Sequence, residues 1–135
     1  SVRIKDIDDE KYYSTKRILA SLSSYAANSE VHILSPFDNI VIQRKRLQNL
    51  FGFDYLIECY VPAPKRKFGY FCLPVLYGNK FAGRIDAKAD RRTGNFIIIN
   101  EFWENGFKTD DNFTEKYNLK LKELAEFSGC MEITR

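Results

Sequence analysis

Three strand-like stretches joined by two short turns occupy the middle of this chain and restrict its fold more than any other feature. The stretches cover residues 68–77, Lys80–Asp90 and Asn95–Trp103. Gly78-Asn79 joins the first pair, and Arg91-Arg92-Thr93-Gly94 joins the second. Connections this short link neighbouring antiparallel strands, because a parallel pair needs a long crossover. The sequence therefore predicts an antiparallel sheet at the centre of the fold.

The segments on either side of this sheet predict helices and shorter strands. Helices are expected at residues 9–27, at residues 40–51, and after Asp111-Asn112, which would cap the last helix ahead of a closing Gly129. Short strands are expected at residues 31–34, 54–61 and 131–134. The predicted fold class is α+β, a curved antiparallel sheet or small open β-barrel flanked by two or three helices. Residues 1–135 are expected to form one domain.

The composition excludes several classes of function. The net charge of +3 is mildly basic, so contact with nucleic acid is allowed but has to be found locally. Three cysteines without a CxxC pair and one histidine do not predict a metal site, and no glycine-rich phosphate loop predicts a nucleotide cofactor. No apolar run approaches the roughly 20 residues that span a bilayer. A cytoplasmic protein without a cofactor is expected.

A charged strand is the first candidate for chemistry. Arg84, Asp86, Lys88 and Asp90 alternate with apolar residues, so they share one face of the strand. A salt-linked ladder that faces solvent is the simplest interpretation, although such pairs add little stability. An alternative is a Mg²⁺-dependent nuclease, in which Asp38 and Asp86 would hold the metal and Lys88 would steady the attacking water.

Two basic segments are candidates for phosphate contact. Lys65, Arg66 and Lys67 follow two prolines in a turn backed by aromatic residues, which suits either a DNA backbone contact or a solvated loop. Arg44 and Arg46 lie on the predicted helix at residues 40–51. Consecutive helical residues spread around the axis, so this second segment is more typical of a solvated surface than of a flat basic patch.

Several runs taken together resemble the C-terminal region of the AlkZ/YcaQ-type winged-helix DNA glycosylases. The resemblance covers about residues 31–92 and continues more loosely to Phe127. Five segments agree in order: Leu34-Ser35-Pro36-Phe37-Asp38-Asn39 with Arg44-Lys45-Arg46-Leu47; Leu50-Phe51-Gly52-Phe53-Asp54-Tyr55; Tyr60-Val61-Pro62 with Lys65-Arg66; Gly69-Tyr70 with Leu73-Pro74; and Gly83-Arg84-Ile85-Asp86 followed by Lys88, Asp90 and Arg91.

The resemblance implies a DNA-repair protein that combines tandem winged helices with a β-barrel and excises alkylated bases or unhooks crosslinks. The family's catalytic Gln-x-Gln or Gln-x-Asp pair is not matched, because Gln43 precedes Arg44-Lys45 and Gln48 precedes Asn49-Leu50. No catalytic residue is therefore carried over. The chain is expected to be the C-terminal domain of a larger protein whose winged-helix part is absent here.

The resemblance also implies a role for each matching group of residues. DNA contact is expected at Lys65 and Arg66, with Lys67 of the same basic turn and Arg44 and Arg46 as further candidates. A structural role is expected for the turn of Ser35, Pro36, Asp38 and Asn39, and for the strand residues Arg84, Asp86, Lys88 and Asp90. The expected function is a non-catalytic scaffold and DNA-contact domain. A Mg²⁺-dependent nuclease or a protein-interaction domain are the alternatives, and DNA is the expected partner.

Overall fold

The protein folds as a five-stranded sheet with helices on both faces. The computed structural model describes residues 1–4, 11–25 and 28–135. The strands are β1 (Val31–Ile33), β2 (Cys72–Tyr77), β3 (Lys80–Asp90), β4 (Asn95–Trp103) and β5 (Glu132–Thr134). The helices are α1 (Lys16–Ser21), α2 (Arg44–Phe51) and α3 (Asp111–Phe127), with single 3-10 turns at Leu22–Ser24 and Ala63–Lys65. Across the described ranges, no helix combines the length and apolar character needed to cross a membrane.

The strands lie in sequence order, and the sheet is curved. β1 to β4 pair antiparallel, as the short turns predicted, and two register shifts leave Ala82 and Ile99 as extra residues that bend β3 and β4. β5 pairs with β4 in parallel, so the expectation of antiparallel pairing throughout is wrong for the last strand. The reason is that α3 carries the chain back along the sheet, as a crossover helix does. The predicted α+β class with a curved sheet is confirmed.

Each face of the sheet packs against its own apolar cluster. On one face, Val75 and Ile85 pack with Phe113 and Leu121 of α3. On the other face, Phe81 belongs to a cluster formed with α2 and with the irregular segment that follows it. β3 is therefore central to the fold, and residues 81–86 are all buried.

The long strands and the last helix agree closely with the sequence. β3 and β4 have the predicted bounds, and Gly78-Asn79 forms the tight turn. The cap of α3 is one residue earlier than expected, because Asp110 accepts the N–H of Phe113 through Oδ1 at 2.7 Å. A side-chain oxygen at this position satisfies an N–H that has no partner within the helix.

The first helix is much shorter than the predicted residues 9–27. α1 covers only Lys16–Ser21 of that range, and residues 9, 10, 26 and 27 lie outside the described residues. The helix begins after Thr15, whose hydroxyl oxygen accepts the N–H of Ile18 at 3.3 Å. The Ser21 hydroxyl donates to the Ile18 carbonyl at 2.9 Å, and such local serine bonds compete with helix continuation.

The second helix begins at Arg44 and not at residue 40. The N–H groups of Val41 and Ile42 both donate to the carbonyl of Asp38, so the chain turns before α2 starts. β-branched residues lose side-chain freedom in a helix, which favours this late start. α2 ends as predicted at Gly52, which adopts a positive φ of 62°.

The segment between α2 and β2 is irregular, which corrects two predicted strands. Residues 54–61 form no strand, and β2 begins at Cys72 instead of residue 68. Tyr55 is buried and Leu56 exposed, as alternation predicts, but Glu58 is then turned inwards. The N–H groups of Lys67, Phe68 and Gly69, at the start of the predicted return strand, donate to the Glu58 carboxylate and not to a neighbouring strand. This segment covers the second face of the sheet and carries the candidate site.

Candidate functional site: a basic loop held by carboxylates

Residues 62–70, called the basic loop below, carry three adjacent cationic side chains. A 3-10 turn at Ala63–Lys65 closes through hydrogen bonds from Lys65 N to the Pro62 carbonyl at 2.8 Å and from Arg66 N to the Ala63 carbonyl at 3.2 Å. The side chains of Lys65 and Lys67 are exposed, and Arg66 is half-buried. The two lysine side chains therefore extend into solvent from a tightly turned backbone.

Glu58 fixes the backbone of the basic loop. Its carboxylate accepts N–H groups from Lys67 at 2.8 Å, Phe68 at 2.7 Å and Gly69 at 3.1 Å, and the residue is 7% exposed. Burial would raise the pKa of Glu58, but the three N–H donors and the nearby Arg84 outweigh burial and lower it. A buried carboxylate with this many donors stays ionised and holds the loop in one conformation.

Asp86 of β3 forms the floor beneath the loop. The residue is 7% exposed, and a Cβ atom added to Gly69 would lie 2.1 Å from its Oδ2 atom. Burial raises the pKa of Asp86, and the backbone N–H groups of Phe71 and Tyr70 and the charge of Arg66 only partly oppose it. The loop thus docks tightly on β3 where residue 69 has no side chain.

The loop side chains are themselves supported. Arg66 donates from Nε to the Val61 carbonyl at 2.9 Å, and its guanidinium lies 4.9 Å from the centre of the Tyr70 ring. The Lys67 ammonium lies 5.3 Å from the centre of the Phe68 ring. Tyr70 is 56% exposed, and Tyr60, two residues before the loop, is 89% exposed. Cations and aromatic faces therefore share one accessible surface.

Arg84 is buried beside the loop. It is 4% exposed, and its guanidinium lies 4.5 Å from the Phe53 ring centre and 4.1 Å from that of Phe68. Nη2 donates to the Asp54 carbonyl at 2.8 Å and to the Glu104 carboxylate at 3.1 Å. Nε is buried and has no hydrogen-bond partner among the described residues. A buried donor left unpaired costs about 1–3 kcal/mol.

The expected solvent-facing salt ladder on β3 is therefore wrong for its first two members. Arg84 pairs with Glu104 across the sheet and Asp86 contacts the basic loop, because the irregular segment covers this end of the strand. Lys88 is exposed, and Asp90 accepts the N–H of Arg92 at 3.1 Å in the following turn. Alternation placed these side chains on one face correctly, but that face is only partly open to solvent.

A cleft of about 300 Å³ opens next to Arg84 and the basic loop. Its walls are formed by Asp54, Lys67, Phe68, Arg84, Trp103, Glu104 and Asn105. Lys67 and Arg84 bring positive charge to it, and Glu104 brings negative charge. The sequence did not indicate a site at Glu104, and alternation in the predicted strand at residues 54–61 placed Glu58 on the same face as Leu56 and Tyr60. The available signal was an acidic residue inside the mostly apolar run of residues 55–61.

The turn that contains Ser35, Pro36, Asp38 and Asn39 is locally braced. Ser35 Oγ accepts the N–H of Phe37 at 3.2 Å, and Asp38 Oδ1 accepts the N–H of Ile40 at 2.8 Å. Pro36 is buried. The turn also contacts α2, because Arg46 donates from Nη2 to the Asn39 carbonyl.

The two arginines of α2 differ in their surroundings. Arg46 is half-buried and held by the turn, whereas Arg44 is exposed and lines a small hollow with Phe37 and Tyr55. The structure does not place either residue in the surface formed by the basic loop. A phosphate contact at Arg44 would therefore be separate from that surface.

The arrangement gives no support to the nuclease alternative. Asp86 is buried against the loop backbone, and Asp38 is bonded to its own turn. In residues 1–4, 11–25 and 28–135, no group of three or more His, Cys, Asp or Glu residues is placed to hold a metal ion.

Replacing Asp86 with asparagine tests the burial of this carboxylate. Because folding raises the pKa of Asp86, its charged form is disfavoured in the fold, and the wild type loses stability as pH rises from the ordinary pKa near 3.8 through the raised value. Asp86→Asn cannot ionise, so its free energy of unfolding relative to wild type is expected to increase over that range. Urea denaturation from pH 3.5 to pH 7 measures the difference. A relative stability that falls with rising pH would contradict the assignment.

Comparison with known proteins gives one clear match. The model of the family described as DNA glycosylase AlkZ-like matches residues 1–127, which confirms the resemblance predicted from the sequence. No solved structure gives a significant match to this chain.

Proposed function

Because this chain belongs to the AlkZ-like DNA glycosylase family, we propose that it is a non-catalytic scaffold and DNA-contact domain of a repair protein. It would be the C-terminal domain of a longer cytoplasmic protein, with winged helices before it. The observation that best supports the proposal is the Glu58 carboxylate, which holds three consecutive N–H groups of the basic loop. Because the backbone of the loop is already fixed, binding through its cationic side chains does not carry the entropic cost of ordering the loop.

The chemistry of the loop suits the backbone of DNA. Lys65 and Lys67 are exposed point charges, and a lysine at a phosphate releases a condensed counterion. Arg66 is held by Val61 and Tyr70, so less side-chain freedom is lost when it binds. The exposed Tyr60 ring is available to stack on an unpaired base. We propose phosphate contact as the main role and stacking as the second.

The scaffold role is proposed for residues that support the loop and the sheet. Arg84 and Asp86 hold the loop against β3, and Lys88 and Asp90 continue the same strand towards the turn at residues 91–94. The turn of Ser35, Pro36, Asp38 and Asn39 would brace α2 in the same way. None of these residues is assigned a catalytic role, and the reaction of the parent protein is proposed to use residues outside this chain.

Paired lysine variants test the DNA contact. In Lys65→Ala/Lys67→Ala, the Kd for a short duplex is expected to weaken about tenfold at low salt, and the slope of log K against log salt to fall by about two. Fluorescence anisotropy across a salt series measures both. The matched control is Lys108→Ala/Lys122→Ala, which removes two exposed lysines from other parts of the fold. Equal losses in the two pairs would reject a localised contact.

The same assay separates the other functions. Mg²⁺-dependent nicking of the duplex that disappears in Asp86→Ala would replace the proposal with a nuclease. Absence of duplex binding at any salt concentration would favour a protein-interaction domain. Salt-dependent binding without cleavage, lost in the loop variant alone, is the result that supports a DNA-contact domain.

A further inference from the structure

Two cationic side chains meet at the cleft beside the basic loop. The Arg84 guanidinium and the Lys67 ammonium both lie within 5.3 Å of the centre of the Phe68 ring, and both side chains line the cleft. One belongs to the central strand and is buried, and the other belongs to the loop and is exposed. The lining of the cleft therefore contains one buried cation and one exposed cation.

Arg84 has one buried donor, Nε, that the described fold does not use. Nη2 makes its hydrogen bonds to the Asp54 carbonyl and Glu104, while Nε has no partner within the described ranges. Aromatic rings at 4.1 and 4.5 Å fix the orientation of the guanidinium plane. A planar cation held in this way, with one donor still without an acceptor, is preorganised for an oxyanion.

We infer that this cleft binds one phosphate oxyanion, with Arg84 as its buried ligand, Lys67 as its outer ligand and Glu104 as the group that the phosphate displaces. Phosphate fits because its several oxygens can accept both from a guanidinium edge and from an ammonium group. The phosphate could be a phosphodiester of DNA or a free phosphate group. Only the phosphodiester source rests on the proposed function.

Glu104 is the anionic group that pairs with Arg84 at this cleft. Its carboxylate is 3.1 Å from Arg84 Nη2, and its side chain is 41% exposed. A half-exposed carboxylate keeps much of its hydration, so it can turn towards solvent when another anion takes its place. Glu104 would then compete with phosphate for Arg84 and weaken phosphate binding. This competition predicts that removing the charge of Glu104 tightens binding, which a purely structural ion pair would not do.

The test follows the side-chain N–H signal of Arg84 by ¹H–¹⁵N NMR, which reports on the unpaired Nε directly. In wild type, inorganic phosphate at constant ionic strength is expected to shift this signal saturably, whereas chloride is not. Glu104→Gln is expected to tighten binding about fivefold and Lys67→Ala to weaken it about fivefold, as removal of one nearby charge at partial exposure implies. Lys122→Ala, on α3, is the matched control. These variants leave Arg84 in place, so the test does not require that buried residue to be replaced.

The outcomes separate this site from the proposed function. Saturation with inorganic phosphate supports the cleft even where the duplex does not bind at all. A shift with a short duplex alone also supports it and identifies a phosphodiester as the ligand. If neither probe moves the Arg84 signal, or if Glu104→Gln leaves binding unchanged, the inference is overturned. DNA contact by the basic loop would still stand in that case, provided that the lysine variants lose affinity.

Discussion

Gly69→Ala is expected to lower the free energy of unfolding by about 3 kcal/mol, from overpacking together with backbone strain. A Cβ atom at this position would lie 2.1 Å from Asp86 Oδ2 and 2.9 Å from Asp86 Cβ. The second contact is close to the backbone of β3, so rotating the carboxylate does not relieve it. Gly69 also has a φ of 150°, which L-residues rarely adopt. Urea denaturation followed by far-UV circular dichroism measures the loss.

Gly94→Ala is the control for the contact with Asp86. Gly94 also has a positive φ, at 72°, but a Cβ atom there would have no neighbour within 4 Å. This variant is expected to lose only the backbone component, about 1 kcal/mol. If the two variants lost equal stability, the close docking of the basic loop on β3 would have no energetic role.

Glu58→Gln is expected to lower the free energy of unfolding by about 2–4 kcal/mol and to loosen the basic loop, because charge-assisted bonds are lost and an amide N–H₂ is placed among N–H donors. The residue is 7% exposed, so water offers little compensation. Denaturation gives the stability, and hydrogen exchange at Lys67, Phe68 and Gly69 gives the local order. Duplex affinity is expected to fall with the loss of order if the loop is the contact.

The loss of stability in Glu58→Gln is expected to depend on pH. Because folding lowers the pKa of Glu58, its stabilising effect is present above the ordinary value of 4.5 and disappears as pH falls through the lowered value. The difference between wild type and Glu58→Gln is therefore expected to be largest near neutral pH and to shrink in acid. Glu126→Gln, at an exposed position of α3, is the control and should show little difference at any pH. A gap that widens in acid would contradict the role of Glu58.

The part of the fold that depends on local sequence was predictable. β3 and β4 have the expected bounds because alternation and short turns act over a few residues. α3 lies between the capping residues and the glycine that predicted it, although its cap is Asp110, one residue before the expected Asp111-Asn112. The cationic residues of the basic loop were also identified, since prolines and lysines mark a turn without any knowledge of the rest of the chain.

The supports of the loop were not predictable, because they join residues that are distant in sequence. Arg84 reaches a carbonyl 30 residues earlier and a carboxylate 20 residues later, so alternation along β3 could not reveal either partner. Strand alternation groups Glu58 with Leu56 and Tyr60, yet Glu58 is buried and its carboxylate accepts N–H groups from beyond a turn. The direction of a polar side chain was decided here by tertiary hydrogen bonds, which outweighed strand periodicity.

Glu58 accepts hydrogen bonds from the main chain of the basic loop and not from its cationic side chains. The conformation of the loop and the identity of its exposed side chains are therefore determined by different residues. We expect that Lys65 and Lys67 can be replaced by other residues without a change in the course of the backbone, because Glu58 holds N–H groups and not side chains. The loop is thus suited to protein engineering and to sequence divergence in evolution, because the side chains at positions 65 and 67 can change while the loop backbone stays the same. Substitutions at Glu58 or Gly69 have the opposite effect, since they change the backbone conformation that positions every exposed side chain of the loop.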